Sequence, residues 1–209
     1  MAPKAANVSA SYQSTPFKWS GLYFGVNGGY GAGATTGGQY PAYFAGNYDI
    51  NGGLLGGQVG FNYQINHLVL GVEANWDWAN VSAFGPNSGF GSTTTIGDLA
   101  TVRGRIGYAW DRLLLYGTGG WAWSNVTATC ENCSLSGPVT ERHALTGYAL
   151  GAGLEYGVNP NFSLKAEYLY ASLSPTNYFI SAGCPGPCTI GAQVHTFLLG
   201  ANLRFGGNP

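Results

Sequence analysis

A period-two alternation of apolar with small or polar residues constrains the fold of this chain more than any other feature. In the last segment of this kind, 193–205, every second residue from Phe197 to Phe205 is apolar. The residues between them are mostly small or polar: Thr196, Leu198, Gly200, Asn202 and Arg204. Successive side chains of a β-strand point to opposite faces, so the alternation predicts a strand with one apolar face. The pattern recurs along the chain and predicts eight strands.

The scarcity of charged residues decides which way the apolar faces point. Charged residues make up 8% of the 209 residues, against about 25% in soluble domains. Such a chain has too few charges to cover a surface in water, so we expect the apolar faces to contact lipid. No stretch holds 18 consecutive apolar residues, which excludes a transmembrane helix and favours a membrane β-barrel. A soluble lipocalin-like barrel is the structural alternative. The net charge of −1 indicates no nucleic-acid surface.

The connections between the predicted strands alternate in length. Short turns fall at 66–67, 111–112 and 159–161. Longer connections rich in Gly, Ser, Thr or Tyr fall at about 34–51, 85–97, between strands five and six, and at about 172–191. We predict an all-β, eight-stranded antiparallel transmembrane barrel with short periplasmic turns and long extracellular loops.

The predicted barrel spans 19–205. A flexible periplasmic arm is expected at 1–18 and a short tail at 206–209. Export requires a leader peptide, which we expect to have been removed. The six tryptophans lie near predicted strand ends and are expected to form interfacial girdles. The girdle residues are Trp19 and Trp110 on the turn side, and Trp76, Trp78, Trp121 and Trp123 toward the loops.

Four motifs resemble a known family. They are Trp-Ser-Gly-Leu-Tyr-Phe-Gly-Val-Asn-Gly-Gly-Tyr-Gly at 19–31, Thr-Val-Arg-Gly-Arg-Ile-Gly-Tyr at 101–108, Leu-Leu-Tyr-Gly-Thr-Gly-Gly-Trp-Ala at 114–122, and Gly-Ala-Asn-Leu-Arg-Phe at 200–205. Together they resemble the alphaproteobacterial outer-membrane immunogenic or opacity-type barrels, which are similar to the OmpA transmembrane domain. The resemblance implies a structural barrel of the outer membrane, exposed at the cell surface and sometimes called porin-like. We expect outer-membrane lipid and lipopolysaccharide as partners of such a barrel, and the barrel-assembly machinery during insertion.

Eight charged side chains are predicted to point into the barrel. They are Glu73, Asp77, Arg103, Arg105, Glu155, Lys165, Glu167 and Arg204. An eight-stranded barrel is only wide enough for its own side chains, so these four acids and four bases are expected to pair and to close the lumen. Glu73, Arg105 and Glu167 are expected at one level. The alternative is a low-conductance porin-like channel that opens when the pairs rearrange.

Four cysteines lie in two predicted external loops: Cys130, Cys133, Cys184 and Cys188. Exported proteins meet an oxidising compartment, so disulfides are expected. The two sequence-local pairs are favoured, and pairing across the loops is the alternative. A zinc site of CxxC plus CxxxC is a third possibility that the compartment does not support.

No arrangement of residues in the sequence indicates an enzyme or a cofactor site. His143 or His195 with Ser172 or Ser174 would be the candidates for a membrane-face hydrolase, but no motif spacing supports them. The long loops suggest a different class of function, either surface adhesion or lattice formation with neighbouring copies. Gly117 and Gly119, on the predicted outer face, would allow close contact between barrels or only relieve strain in the curved wall.

Overall fold

The computed structural model describes residues 17–36, 49–87, 90–130, 137–179 and 188–206. They form a closed barrel in which every strand pairs antiparallel with its sequence neighbours and the first strand pairs with the last. The strands are β1 (Gly21–Thr36), β2 (Asp49–Ile65), β3 (Leu68–Asn87), β4 (Phe90–Trp110), β5 (Leu113–Cys130), β6 (Val139–Asn159), β7 (Phe162–Tyr178) and β8 (Cys188–Phe205). The predicted fold is therefore confirmed. No helix in the described ranges is long and apolar enough to span a membrane.

The outer face of the barrel carries a band of exposed apolar side chains, as predicted. Val26 is 65% exposed and Leu55 66%, and Phe197 and Leu199 are each 71% exposed. The band begins at the end of the barrel formed by the short turns, which we call the turn end. In a soluble barrel these side chains would form the core, so their exposure indicates that lipid surrounds this part of the wall.

The strands are 16 to 21 residues long, about twice the 9–11 residues that cross a bilayer. The apolar band stops at Tyr30, Trp78 and Trp123, and beyond it the outward residues are polar, as at Asn80 and Ser82. The opposite end of the barrel, which we call the loop end, therefore extends out of the membrane into water.

The extension corrects the predicted loop at 85–97. β3 and β4 keep pairing up to Asn87 and Phe90, and β7 continues to Tyr178 although a loop was expected from 172. The Gly, Ser and Thr residues of these segments are typical of loops. Pairing satisfies their backbone hydrogen-bonding groups, and this outweighs their low strand propensity.

The interior of the barrel is layered. At the turn end six buried residues close the mouth: Phe17, Trp19, Val69, Ala109, Leu114 and Tyr116. Charged and amide side chains fill the middle. In the loop-end half the interior is an apolar layer that includes Leu54, Leu99, Leu145, Leu169 and Leu198. The expectation of a small and polar interior is therefore wrong for this half. Where the wall leaves lipid for water, apolar side chains must turn inward to be buried.

Candidate functional site: the charge network of the lumen

Arg103 is at the centre of the buried charges. It lies on β4 directly opposite Glu73 of β3, and its Nη2 is 2.7 Å from Glu73 Oε1. Its Nη1 is 2.7 Å from Glu167 Oε1 on β7. The Arg103 side chain has no exposed surface. One guanidinium therefore ties two carboxylates from different sides of the barrel through charge-assisted hydrogen bonds, the strong class of such bonds.

Lys165 supplies a second cation to the same two carboxylates. Its Nζ lies 3.1 Å and 3.3 Å from the two oxygens of Glu73 and 3.8 Å from Glu167 Oε2. Glu73 also has Arg105 Nη1 at 3.8 Å. Glu73 therefore has three cations around it, which compensates for the loss of its hydration.

Glu155 anchors the turn-end side of the network. Arg105 Nη2 lies 2.6 Å from Glu155 Oε2, and Arg204 Nη1 lies 3.1 Å from Oε1. Ser163 and Asn202 also donate hydrogen bonds to Oε1. β4, β6, β7 and β8 therefore meet at one carboxylate.

Two tyrosines that the motif analysis did not select complete the network. Tyr23 OH donates to Glu73 Oε2 and Tyr116 OH donates to Glu167 Oε2, each at 2.8 Å. The guanidinium of Arg105 stacks 3.5 Å above the Tyr116 ring, a favourable cation–π contact. Both tyrosines occupy inward positions of their strands, and in the sequence only this position indicates that they lie in the lumen.

Ion pairs join seven of the eight charges that were predicted to pair, and Asp77 is the exception among the described residues. Asp77 is buried, but neither of its carboxylate oxygens has a hydrogen-bond partner in the described structure. The partner directly across from Glu73 is Arg103, whereas the sequence had placed Arg105 at its level. The seven joined residues are three carboxylates and four bases.

The mouth at the turn end corrects two further predictions. Trp19, expected in the outer girdle, is completely buried inside the barrel. Its Nε1 donates to the carbonyl of Asp111 at 3.0 Å, and Arg204 lies 4.8 Å from its ring centroid. Phe17, expected in the flexible arm, is also buried and donates its backbone N–H to Asp111 Oδ1. This short segment turns inward because Phe17 and Trp19 would otherwise leave their rings in water at the open mouth.

The other predicted girdle residues do lie on the outer face. Each is more than a third exposed: Trp76, Trp78, Trp110, Trp121 and Trp123. Trp76 and Trp123 flank Ala100 across β4, and Ala100 is only 2% exposed although it has the outward position.

The cysteine predictions are untested. Cys133 and Cys184 lie outside the described residues. Cys130 is the last residue of β5 and Cys188 the first of β8, and the side chains of these two cysteines are not described. The disulfides stay a prediction. Among the described residues, no group of three or more His, Cys, Asp or Glu side chains could hold a metal ion.

The two histidines considered for a hydrolase lie on opposite faces of the wall. His143 Nε2 is 3.4 Å from Glu141 Oε2, near the buried Tyr178 ring. His195 Nδ1 is 2.6 Å from Tyr168 OH on the outer face. In the described part of the chain, the contacts of these histidines involve tyrosine and carboxylate groups and not the candidate serines.

Comparison with known proteins gives consistent matches. The family model described as the outer membrane protein beta-barrel domain matches residues 4–205. The chain is 34% identical over 204 residues to the 31 kDa outer-membrane immunogenic protein of Brucella melitensis, covering 83% of this chain and 82% of that protein. It is 30% identical over 201 residues to the 22 kDa outer membrane protein of Rhizobium leguminosarum, covering 92% and 83%. The crystal structure of the outer membrane protease OmpT from Escherichia coli has a fold similarity of TM-score 0.50 at 11% identity, covering 92% of this chain and 99% of that one.

Proposed function

Because the chain belongs to the outer membrane beta-barrel domain family and lies in the outer membrane, we propose that it is a structural, non-enzymatic barrel with a closed lumen. Its task in this proposal is to anchor and present the loop-end extension at the cell surface. The three glutamates of the lumen are engaged by bases and tyrosines rather than open to a substrate.

The layering of the interior is the observation that carries this proposal. An ion on the barrel axis would have to pass the apolar layer of buried leucines, the salt-bridged middle and the Phe17–Trp19 mouth. Moving an ion through unhydrated apolar surroundings is very costly in free energy. A barrel closed at three levels favours a structural role over transport.

Single-channel recording of the refolded protein in a planar bilayer tests the proposal. Insertion is first verified by protection of the barrel from protease. We expect no steady openings between about pH 4 and pH 8, a range that includes protonation of ordinary carboxylates. Steady openings from inserted protein would contradict the closed lumen.

A low-conductance channel is the second candidate, and the position of Lys165 favours it. Its Nζ lies within 3.8 Å of two different carboxylates, those of Glu73 and Glu167. Lys165 can therefore exchange one carboxylate for the other with little movement. In this case Arg105→Glu would put a second negative charge beside Glu155 and raise the conductance. An unchanged current in that variant would reject the channel.

Adhesion or lattice formation is the third candidate. A groove on the outer face has a floor of Gly104, Gly117 and Gly119 between walls that include Ile106 and Leu150. In this proposal neighbouring copies pack there, and lipid and lipopolysaccharide contact the rest of the apolar band. Chemical crosslinking in intact membranes would give a ladder of oligomers, whereas monomers alone would reject the lattice. For assembly we propose the barrel-assembly machinery as a partner.

A further inference from the structure

A cluster of buried polar side chains, which we call the chamber, lies between the salt-bridged middle and the apolar layer. Its four residues are at most 5% exposed: Asn27 of β1, Asn75 and Asp77 of β3, and Thr101 of β4. Buried polar atoms normally have partners. Here Asn27 Oδ1, both amide atoms of Asn75, both carboxylate oxygens of Asp77 and Thr101 Oγ1 have no hydrogen-bond partner among the described residues.

The strand register brings these side chains together. Asn27 and Asp77 are both direct neighbours of Gly56, from opposite sides. A Cβ at Gly56 would lie 2.1 Å from Asp77 Oδ1, so only a glycine lets the carboxylate lean over β2. Asn75 lies directly opposite Thr101. The amide groups of Asn27 and Asn75 lie near the Asp77 carboxylate, although neither makes a hydrogen bond of ordinary geometry to it. The four side chains therefore gather at one level of the lumen.

No base makes a hydrogen bond to the Asp77 carboxylate in the part of the chain that the structure describes. Lys165 and Arg103 are the bases that act on Asp77 from a distance, but their bonds go to Glu73 and Glu167. One of the two N–H groups on Asn27 Nδ2 is donated to Gln58 Oε1 at 2.7 Å. The chamber therefore contains one carboxylate, two amide oxygens and a hydroxyl, and its described residues include no base.

We propose that this chamber is a binding site for a monovalent alkali cation. The Asp77 carboxylate, the amide oxygens of Asn27 and Asn75, and the Thr101 hydroxyl are the ligands. Hard cations take oxygen ligands of these kinds. A single carboxylate among neutral oxygens matches one positive charge, and binding the cation removes the large free-energy cost of an uncompensated buried carboxylate.

The position of the site predicts slow exchange of the bound ion. Leu99 lies opposite Asp77 on the side toward the apolar layer, and the Arg103–Glu73 pair lies on the other side. The cation would be enclosed during folding and would hold β1, β3 and β4 together at this level.

Thallium(I) is a suitable probe because it replaces alkali cations and scatters X-rays anomalously. Crystals of protein refolded in a thallium(I) salt should give an anomalous peak in contact with Asp77. The peak should disappear in Asp77→Asn. It should persist in Asp98→Asn, a control that removes a carboxylate already bonded to Asn125 at 2.7 Å and 2.8 Å. A chamber of the unmodified protein that shows water without a peak would overturn the proposal.

The salt dependence of stability is the second test. Urea unfolding is measured in sodium chloride and in N-methylglucamine chloride at equal ionic strength. A cation that binds only the folded barrel lowers the unfolding equilibrium constant about 100-fold at 100 times its Kd. We expect sodium to stabilise the unmodified protein and Asp98→Asn, but not Asp77→Asn. Equal stability of the unmodified protein in both salts would refute the site, even if Asp77→Asn fails to fold.

Discussion

Replacing Arg103 with methionine should strongly destabilise the barrel. The variant keeps much of the side-chain volume but removes the guanidinium from Glu73 and Glu167, which it contacts at 2.7 Å each. Removing one partner of a buried ion pair costs about 3–5 kcal/mol. Glu73 would keep Lys165 at 3.1 Å, and Glu167 would keep Tyr116 OH at 2.8 Å. We therefore expect the lower end of this range, about 3 kcal/mol.

The assay is reversible urea unfolding in lipid vesicles, followed by tryptophan fluorescence. Arg142→Met is the matched control, because Arg142 is exposed on β6 beyond the apolar band. That change should alter the free energy of unfolding by no more than about 0.5 kcal/mol. Adding Glu167→Gln to Arg103→Met should recover part of the loss, since the second change removes an uncompensated charge. A loss in Arg103→Met no larger than in the control would refute the reasoning.

Three further results are expected. Leu145→Ala, inside the apolar layer, should lower the free energy of unfolding by about 2–5 kcal/mol. Leu199→Ala on the outer face should lower the free energy of unfolding by less. Equal losses in the two variants would contradict a stabilising apolar layer inside the loop-end half. Lipids with brominated acyl chains should quench the fluorescence of a variant whose only tryptophan is Trp121 much more than that of a variant that keeps only Trp19. Equal quenching would place Trp19 on the outer face of the barrel. Alkylation without reductant should add no mass if both predicted disulfides form, whereas four adducts would exclude them.

The membrane-spanning half of the barrel is predictable from the sequence because its physics is simple. Lipid outside and a narrow lumen inside impose a period-two pattern. That pattern placed the exposed face of β8, from Phe197 to Phe205, and the inward charges on β3, β4, β6 and β7 correctly. The composition, with its 8% charged residues, determined the direction of the apolar face.

The extension at the loop end contains a signal that the pattern analysis did not use. On β3 the outward residues change from Trp76 and Trp78 to Asn80 and Ser82, while the inward residues change from Asp77 to Ala79 and Val81. The apolar face therefore switches sides within one strand, at the level where lipid ends. Alternation alone does not distinguish this switch of the apolar face from the beginning of a loop.

Contacts between distant parts of the chain were out of reach of the sequence. Trp19 has the spacing of a girdle residue, and its burial depends on Arg204 and Asp111, which lie far away in the chain. The isolation of Asp77 depends on how far Lys165 reaches, because Lys165 bonds Glu73 and Glu167 instead. Facing inward is a property of the strand, whereas pairing depends on the level and length of side chains on other strands.

The two halves of the lumen stabilise the barrel by different means. In the membrane the outer wall gains little from the hydrophobic effect between its own side chains, because lipid is as apolar as they are. Cohesion there depends on backbone pairing and on the buried charges, which join β3, β4, β6, β7 and β8. Beyond the membrane the wall is in water, and burial of the leucine-rich layer stabilises it as in a soluble barrel. Changes in the charge network should therefore loosen the membrane half first, while the extension keeps its core, and amide exchange measured separately for the two halves would resolve this order.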